Sequence, residues 1–108
     1  TVNADENTIF IKVSSCFVKL DLNKVLYIEA LADYATIHTE TGKHTIHSTM
    51  KGLEQKLSTK DFVRVHNSYI VRLDKISSIE NGFLFINKTQ ISVSRNRFKP
   101  LIQQLKLA

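Results

Sequence analysis

The sequence has 108 residues, 43% of them hydrophobic, with three glycines and one proline. Those values fit one ordinary globular domain and exclude a disordered, collagen-like or disulfide-stapled chain. No apolar run reaches the roughly 18 residues that cross a bilayer and no basic-then-apolar leader comes first, so a cytoplasmic location without membrane association is expected. The net charge of +5 is unevenly spread: residues 1–54 hold five Lys/Arg against seven Asp/Glu, and residues 55–108 hold ten against three.

In chain order, Thr8 to Val13 and Cys16 to Leu20 alternate as two strands around Ser14-Ser15, with Ile9, Ile11 and Val13 on one face and Cys16, Val18 and Leu20 on the other strand's inner face. Val25 to Leu31 and Tyr34 to Thr39 make a second pair across Ala32-Asp33, and Thr41-Gly42 turns into a strand from Lys43 to His47. The period then changes: Met50, Leu53 and Leu57 follow helical spacing, with Ser48 or Thr49 as N-cap and Gly52 as a weak point. Asp61 to Val65 is a short extended or turn segment, and Tyr69 to Leu73 is strongly strand-like. Lys75 to Ile79 is a weaker strand candidate, joined through Asn81-Gly82 to Phe83 to Ile86, and Asn87 to Thr89 turns into Gln90 to Val93.

Ser94 is placed to cap a final helical segment running toward Lys106, with Phe98, Leu101, Ile102 and Leu105 inside and Arg97, Gln103, Gln104 and Lys106 in solvent. Pro100 permits either one helix or an opening turn at Arg95 to Lys99 followed by a second helix. In both versions Arg95, Asn96 and Arg97 stand where free backbone N–H groups favour an anion. The fold class expected is mainly β, with about ten short strands in small sheets, one short internal helix and a C-terminal helical segment. A first residue of Thr1 suggests a piece of a longer regulator, and one domain over 1–108 with its core at about 9–106 is expected.

Enzymatic and metal chemistry find little support. Gly42, Gly52 and Gly82 are isolated, so no phosphate loop is present, and a single cysteine supplies no zinc-finger pair. His38, His44 and His47 lack a completing carboxylate or thiolate, and His44 and His47 would point to opposite faces of a strand. Cys16 reads as a small core residue, and Ser68 near His66 has no orienting acid. No catalytic residue, metal or cofactor is expected.

Residues 62–74, Phe-Val-Arg-Val-His-Asn-Ser-Tyr-Ile-Val-Arg-Leu-Asp, strongly resemble the signature of LytTR-type DNA-binding domains of bacterial transcriptional response regulators. Val25 to Ala30 with Asp33-Tyr34, Thr49 to Leu57, and Ile91 to Arg95 extend the likeness in the same order. The resemblance implies a small all-β-rich domain that binds promoter DNA through loops in the major groove. It implies direct-repeat sites, paired or dimeric binding, and a receiver domain on the N-terminal side in the full-length protein.

The resemblance assigns three DNA-facing regions. The first is Ala32 to Ala35, with Tyr34 and Ala35 as contacts. The second is His66 to Ser68, where Asn67 pairs with adenine or caps a turn and His66 is more often structural; many relatives carry a basic residue where Asn67 stands. The third is Ser94 to Arg97: Arg95 is placed on guanine or a phosphate, Asn96 on adenine or backbone, and Arg97 and Lys99 along phosphates. Twofold alternatives remain at this point. A protein-interaction or dimerisation module would also explain many short strands and an apolar tail, and RNA binding is weaker because no exposed aromatic series is evident.

Overall fold

A computed structural model of the chain describes residues 8–105. β1 (Thr8–Val13) and β2 (Cys16–Asp21) form a two-stranded hairpin in which Ile9 faces Leu20 and Ile11 faces Val18. Ser14 adopts φ 56°, the left-handed conformation that lets a two-residue connection follow strand twist. β3 (Val25–Leu31), β4 (Tyr34–Thr39), β5 (Gly42–His47), β6 (Phe62–His66) and β7 (Tyr69–Arg72) make a five-stranded antiparallel sheet in the order β5-β4-β3-β7-β6. β8 (Ser78–Glu80), β9 (Phe83–Ile86) and β10 (Thr89–Ser92) form a third sheet with β9 central.

Period-2 alternation gives the central sheet two apolar faces, and each is covered. Ile28, Ala35, Ile37, Ile46, Phe62 and Ile70 pack against Ile11 and Leu20 of the hairpin and Met50 and Leu53 of helix α1 (Met50–Lys56). On the opposite face Val63, Val65, Tyr69 and Val71 pack against Leu84, Ile86 and Ile91 of the three-stranded sheet and Leu101 of helix α2 (Arg95–Gln104). The molecule is therefore three-layered, with the hairpin and the three-stranded sheet on opposite sides. Ile28, Leu84 and Leu101 are at most 2% exposed, and burying a side chain of that kind contributes roughly 1.5–3 kcal/mol.

The mainly β architecture agrees with the sequence expectation, and several local readings change. Residues 62–66 are a full edge strand, because β7 supplies their hydrogen-bonding partner. Of the weaker candidate at Lys75 to Ile79 only Ser78 and Ile79 are strand, as part of β8, and a 3-10 turn at Leu73–Lys75 takes its first residue. A second 3-10 turn, Leu22–Lys24, joins hairpin to sheet, capped by the Asp21 carboxylate accepting from Asn23 N at 3.0 Å. Thr49 rather than Ser48 caps α1, its Oγ1 accepting from Gly52 N at 3.0 Å. A Cβ at position 52 would stand 3.0 Å from that same oxygen, so Gly52 admits the cap closely.

α2 is one continuous helix with Pro100 inside it, not a turn followed by a second helix. Ser94 holds the N-cap position but its side chain makes no capping bond; instead Arg97 N donates to Ser94 O at 3.0 Å. Leu101 is buried and Phe98, Ile102 and Leu105 are half-buried, as the stripe required, while Arg97 is half-buried rather than fully wet. The expected position of Lys106 lies outside the described residues. Cys16 is exposed at the hairpin tip rather than in the core: it opens β2 opposite Val13, beside the turn, where Val13 and Val18 on the same side are themselves only partly buried.

A buried cation escaped the sequence reading. Arg72 is 5% exposed, with Nη1 donating to Leu22 O at 3.0 Å, Nη2 to Asn23 Oδ1 at 3.2 Å, and its guanidinium 5.3 Å from the Phe62 ring centre. Asp74 Oδ1 lies 2.7 Å from Nε, off the N–H axis. Those partners offset the cost of desolvating the charge.

Candidate nucleic-acid interface

Strand direction gathers the polar turns at one end of the central sheet. β3 ends at Leu31 where β4 begins at Tyr34, and β7 begins at Tyr69 opposite Glu29. The turns at 32–33 and 67–68 are thus neighbours. His47, the last residue of β5, pairs with Tyr34 and brings the approach to α1 to the same end.

Two backbone hydrogen bonds lock the arrangement. Ala30 N donates to Ser68 O at 2.8 Å, joining the end of β3 to the β6–β7 turn, and Ser94 N donates to Val65 O at 2.8 Å, joining the start of α2 to β6. The β6–β7 turn therefore stands between the β3–β4 turn and the α2 N-terminus. All three regions singled out in the sequence meet in space.

Within them the residues divide. Tyr34 is half exposed and meets His47 edge-on at 5.3 Å. Ala35 is 0% exposed: its Cβ belongs to the core, on strand β4 between Ala30 and Ile46, so it is withdrawn from the contact set. His66 Nδ1 accepts from Ser68 N at 3.1 Å and its ring meets Tyr69 at 5.7 Å, which gives it a turn-shaping role. Asn67 is exposed, and so are Arg95, Asn96 and Lys99.

Arg64, which carried no role in the sequence reading, is the link between these pieces. Its Nη2 donates to Asn67 O at 2.7 Å and its Nη1 to Glu54 Oε1 at 3.0 Å. It borders two open grooves. One of about 400 Å³ is also lined by Glu54, Asn96 and Arg97, and one of about 440 Å³ by Asp33, Tyr34, His47 and Lys51. Arg95 lies on the other flank of α2, beside the Asn81-Gly82 turn. The surface thus carries Lys51, Arg64, Arg95, Arg97 and Lys99, with Asp33 and Glu54 interrupting it, a distribution suited to phosphates at discrete points rather than a uniform wrap.

Behind the surface lies an aromatic and carboxylate network. Glu29 accepts from Tyr69 Oη through Oε2 at 3.3 Å and lies 3.4 Å from His38 Nε2 through Oε1, while Tyr27 stacks on His38 at 4.3 Å. Burial, and then the Glu29 charge, push both the Tyr27 and Tyr69 phenols above their ordinary value. Both hydroxyls stay protonated at neutral pH, so Tyr69 donates to Glu29 and holds the first residue of β7 after the turn. A lone basic residue in the apolar alternation of 62–66 was the available signal for Arg64. Nothing in the local sequence pairs it with Glu54.

Among the described residues, no group of three or more His, Cys, Asp or Glu is placed to hold a metal ion, and no helix is long and apolar enough to cross a membrane. His38, His44 and His47 are not brought together as a ligand set.

Comparison with known proteins places this geometry. Residues 15–106 match the family model of the LytTr DNA-binding domain. The chain is 26% identical over 105 residues to the sensory transduction protein LytT of Bacillus subtilis (strain 168), covering 92% of this chain and 44% of that protein. It is 34% identical over 73 residues to the CO-responsive transcriptional regulator RcoM of Rhodospirillum rubrum, covering 65% of this chain and 31% of that protein. The chain thus spans less than half the length of these curated relatives. A solved LytTr DNA-binding domain of a putative methyl-accepting/DNA response regulator from Bacillus cereus superposes with a TM-score of 0.79 at 20% identity, covering 94% of this chain and 98% of that one, which establishes the shared fold. With its ten strands in that arrangement and the family model running from the hairpin turn to the end of α2, the chain belongs to the LytTr DNA-binding domain family.

Proposed function

We propose that this domain regulates transcription by binding double-stranded promoter DNA sequence-specifically, at paired direct repeats, through the turns at 32–34 and 66–68 and the start of α2. The observation that carries the reading is the convergence of those segments on one end of the sheet, fixed by the Ala30–Ser68 and Ser94–Val65 backbone bonds. A B-DNA major groove about 12 Å wide admits a protruding turn or helix end, and a planar arginine reads guanine O6 and N7 in a bidentate pair worth roughly 1–3 kcal/mol. Arg95 is the base-reading residue, with Asn67, Asn96 and Tyr34 on neighbouring edges. Arg97 and Lys99 track phosphates, joined by Lys51. His66 shapes the turn that presents Asn67.

The relatives' names add context: one is a sensory transduction protein and another a CO-responsive transcriptional regulator. On that basis the domain is the cytoplasmic output module of a longer protein, with a receiver or sensor domain on its N-terminal side and no cofactor of its own. The test is selection of bound sequences from random double-stranded DNA, followed by titration of the selected sequence, a scrambled one and RNA at two salt concentrations. A recurring motif, bound far more tightly than scrambled DNA or RNA, is expected. Failure to enrich any motif would overturn sequence-specific recognition.

A further inference from the structure

Beside the three segments that make the DNA-facing end stands a fourth, the tip of the β1–β2 hairpin. β1 begins at Thr8 opposite Asp21, where β2 leads through the 3-10 turn Leu22–Lys24 into the start of β3, so the open end of the hairpin lies at the start of β3 and the Ser14-Ser15 tip at the other end of its two strands. A groove of about 470 Å³ shows where that tip goes. Lys12 and Ser14 line it from the hairpin, and Tyr34, Thr45 and His47 line it from β4 and β5. Tyr34 and His47 also line the groove that carries Lys51 and Arg64, so the two grooves share a wall.

Charge sorts the grooves at this end. Glu54 lines one and Asp33 another, whereas no carboxylate lines the groove at the hairpin. It offers an anion the Lys12 ammonium, the Ser14 hydroxyl and the hydroxyl of Thr45, whose Oγ1 lies 3.3 Å from Thr36 Oγ1. All three side chains are exposed.

We propose that the hairpin tip is a further DNA-contacting element, in which Lys12, assisted by Ser14, binds the phosphodiester backbone at the edge of the recognised site. This contact rests on the DNA-binding reading above. Its place in the row sets what it does: the sheet order is β5-β4-β3-β7-β6, with α2 tied to β6 and the hairpin groove on β5, so the tip and the start of α2 flank the row on opposite sides. Four strand spacings of about 4.8 Å separate β5 from β6 by roughly 19 Å, the rise of five to six nucleotides at about 3.4 Å each. A lysine ammonium there is a point charge on a flexible stem, which lengthens the footprint and fixes its orientation without reading a base.

Lys12→Gln removes the charge, and Lys19→Gln is its control: Lys19 lies opposite Phe10 on the same outward face, two rungs farther from the tip, and lines none of these grooves. Both lysines are exposed, and the thermal midpoint checks that folding is intact. On the selected DNA, Lys12→Gln is expected to lower the salt slope by about 0.9, so that its deficit relative to the parent shrinks about 3.5-fold as salt rises fourfold. Preference for selected over scrambled DNA stays at the parent value, and Lys19→Gln keeps the parent slope. Ethylation interference locates the contact: at least one phosphate that matters to the parent, and still matters to Arg97→Ala and Lys99→Ala, is expected to cease to matter to Lys12→Gln. A parental slope in Lys12→Gln, an equal loss in Lys19→Gln, or an unchanged set of interfering phosphates overturns the hairpin contact while the parent still binds its selected DNA. A parent that binds no DNA overturns the DNA-binding reading itself, and the hairpin contact falls with it.

Discussion

Arg64 Nη2 donates to the backbone carbonyl of Asn67 at 2.7 Å, clamping from within its own hairpin the turn that carries an exposed candidate base-reading side chain. The other arm of the fork is held by Glu54 of α1 at 3.0 Å, so a helix on one layer steadies a turn at the sheet end. Removing the arginine frees both partners. Arg64→Ala is expected to destabilise the domain by roughly 1–3 kcal/mol, the range for a partly buried, charge-assisted pair. Arg64→Lys is expected to recover only part of that loss, because an ammonium lacks the planar fork that spans both acceptors. Urea denaturation of the three proteins checks the order, and a lysine variant as stable as the parent would refute the fork argument.

Arg95 and the pair Arg97 and Lys99 are expected to fail differently. Arg95→Ala should weaken the selected DNA by roughly 1–3 kcal/mol and relax preference at one base pair. Arg97→Ala or Lys99→Ala should weaken many DNAs evenly and lower the salt slope by about one unit each. Titrations of selected and scrambled DNA over a salt series separate the two patterns. Unaltered preference and slope in the Arg95 variant would remove it from the interface.

The distinction between what the chain displays locally and what only folding reveals runs through these residues. Eight strand spans and the helix pattern of Met50, Leu53 and Leu57 were legible because one face of each element is buried and alternation or helical spacing records it. Residues 62–66 read ambiguously because their partner strand, β7, is what turns an extended segment into a strand. Ala35 and Cys16 were misplaced because burial depends on what covers a position: Ala35 lies between Ala30 and Ile46 in mid-sheet, whereas Cys16 keeps the Val13 and Val18 side of the hairpin but stands at its exposed tip. Arg64 and Arg72 act through Glu54 and through Leu22 and Asn23, partners 10 and about 50 positions away, which no local pattern encodes.

The network behind the interface gives a pH signature. Tyr27 and Tyr69 are both held above the ordinary phenol value of 10.0, by burial first and by the Glu29 carboxylate second. For an acid whose folded value is raised, the folded state keeps protons that the unfolded chain has begun to lose. Stability is therefore full below pH 10.0 and falls as the pH rises through the folded values. Replacing both by phenylalanine is expected to flatten that alkaline fall relative to the parent. Denaturation midpoints measured at successive alkaline pH values provide the comparison, and parallel curves would show that the phenols are not its source.

Pro100 sits six residues into α2, where it cannot donate to Asn96 O and its ring crowds that carbonyl. It is exposed, so packing does not require its ring, and the helix persists because Leu101 is fully buried in the core it shares with Val65, Leu84 and Ile91. Pro100→Ala restores the missing backbone bond and is expected to raise stability by roughly 1–3 kcal/mol, less than or equal to the proline penalty in a helix interior. For a domain of this size each kcal/mol moves the thermal midpoint by about 4–8 °C. The start of α2 is pinned independently by Ser94 N on Val65 O at 2.8 Å, so affinity for the selected DNA should stay within about twofold of the parent, under 0.5 kcal/mol. A rise in stability accompanied by a large loss of affinity would mean instead that the proline sets the angle at which Arg95 and Arg97 are presented.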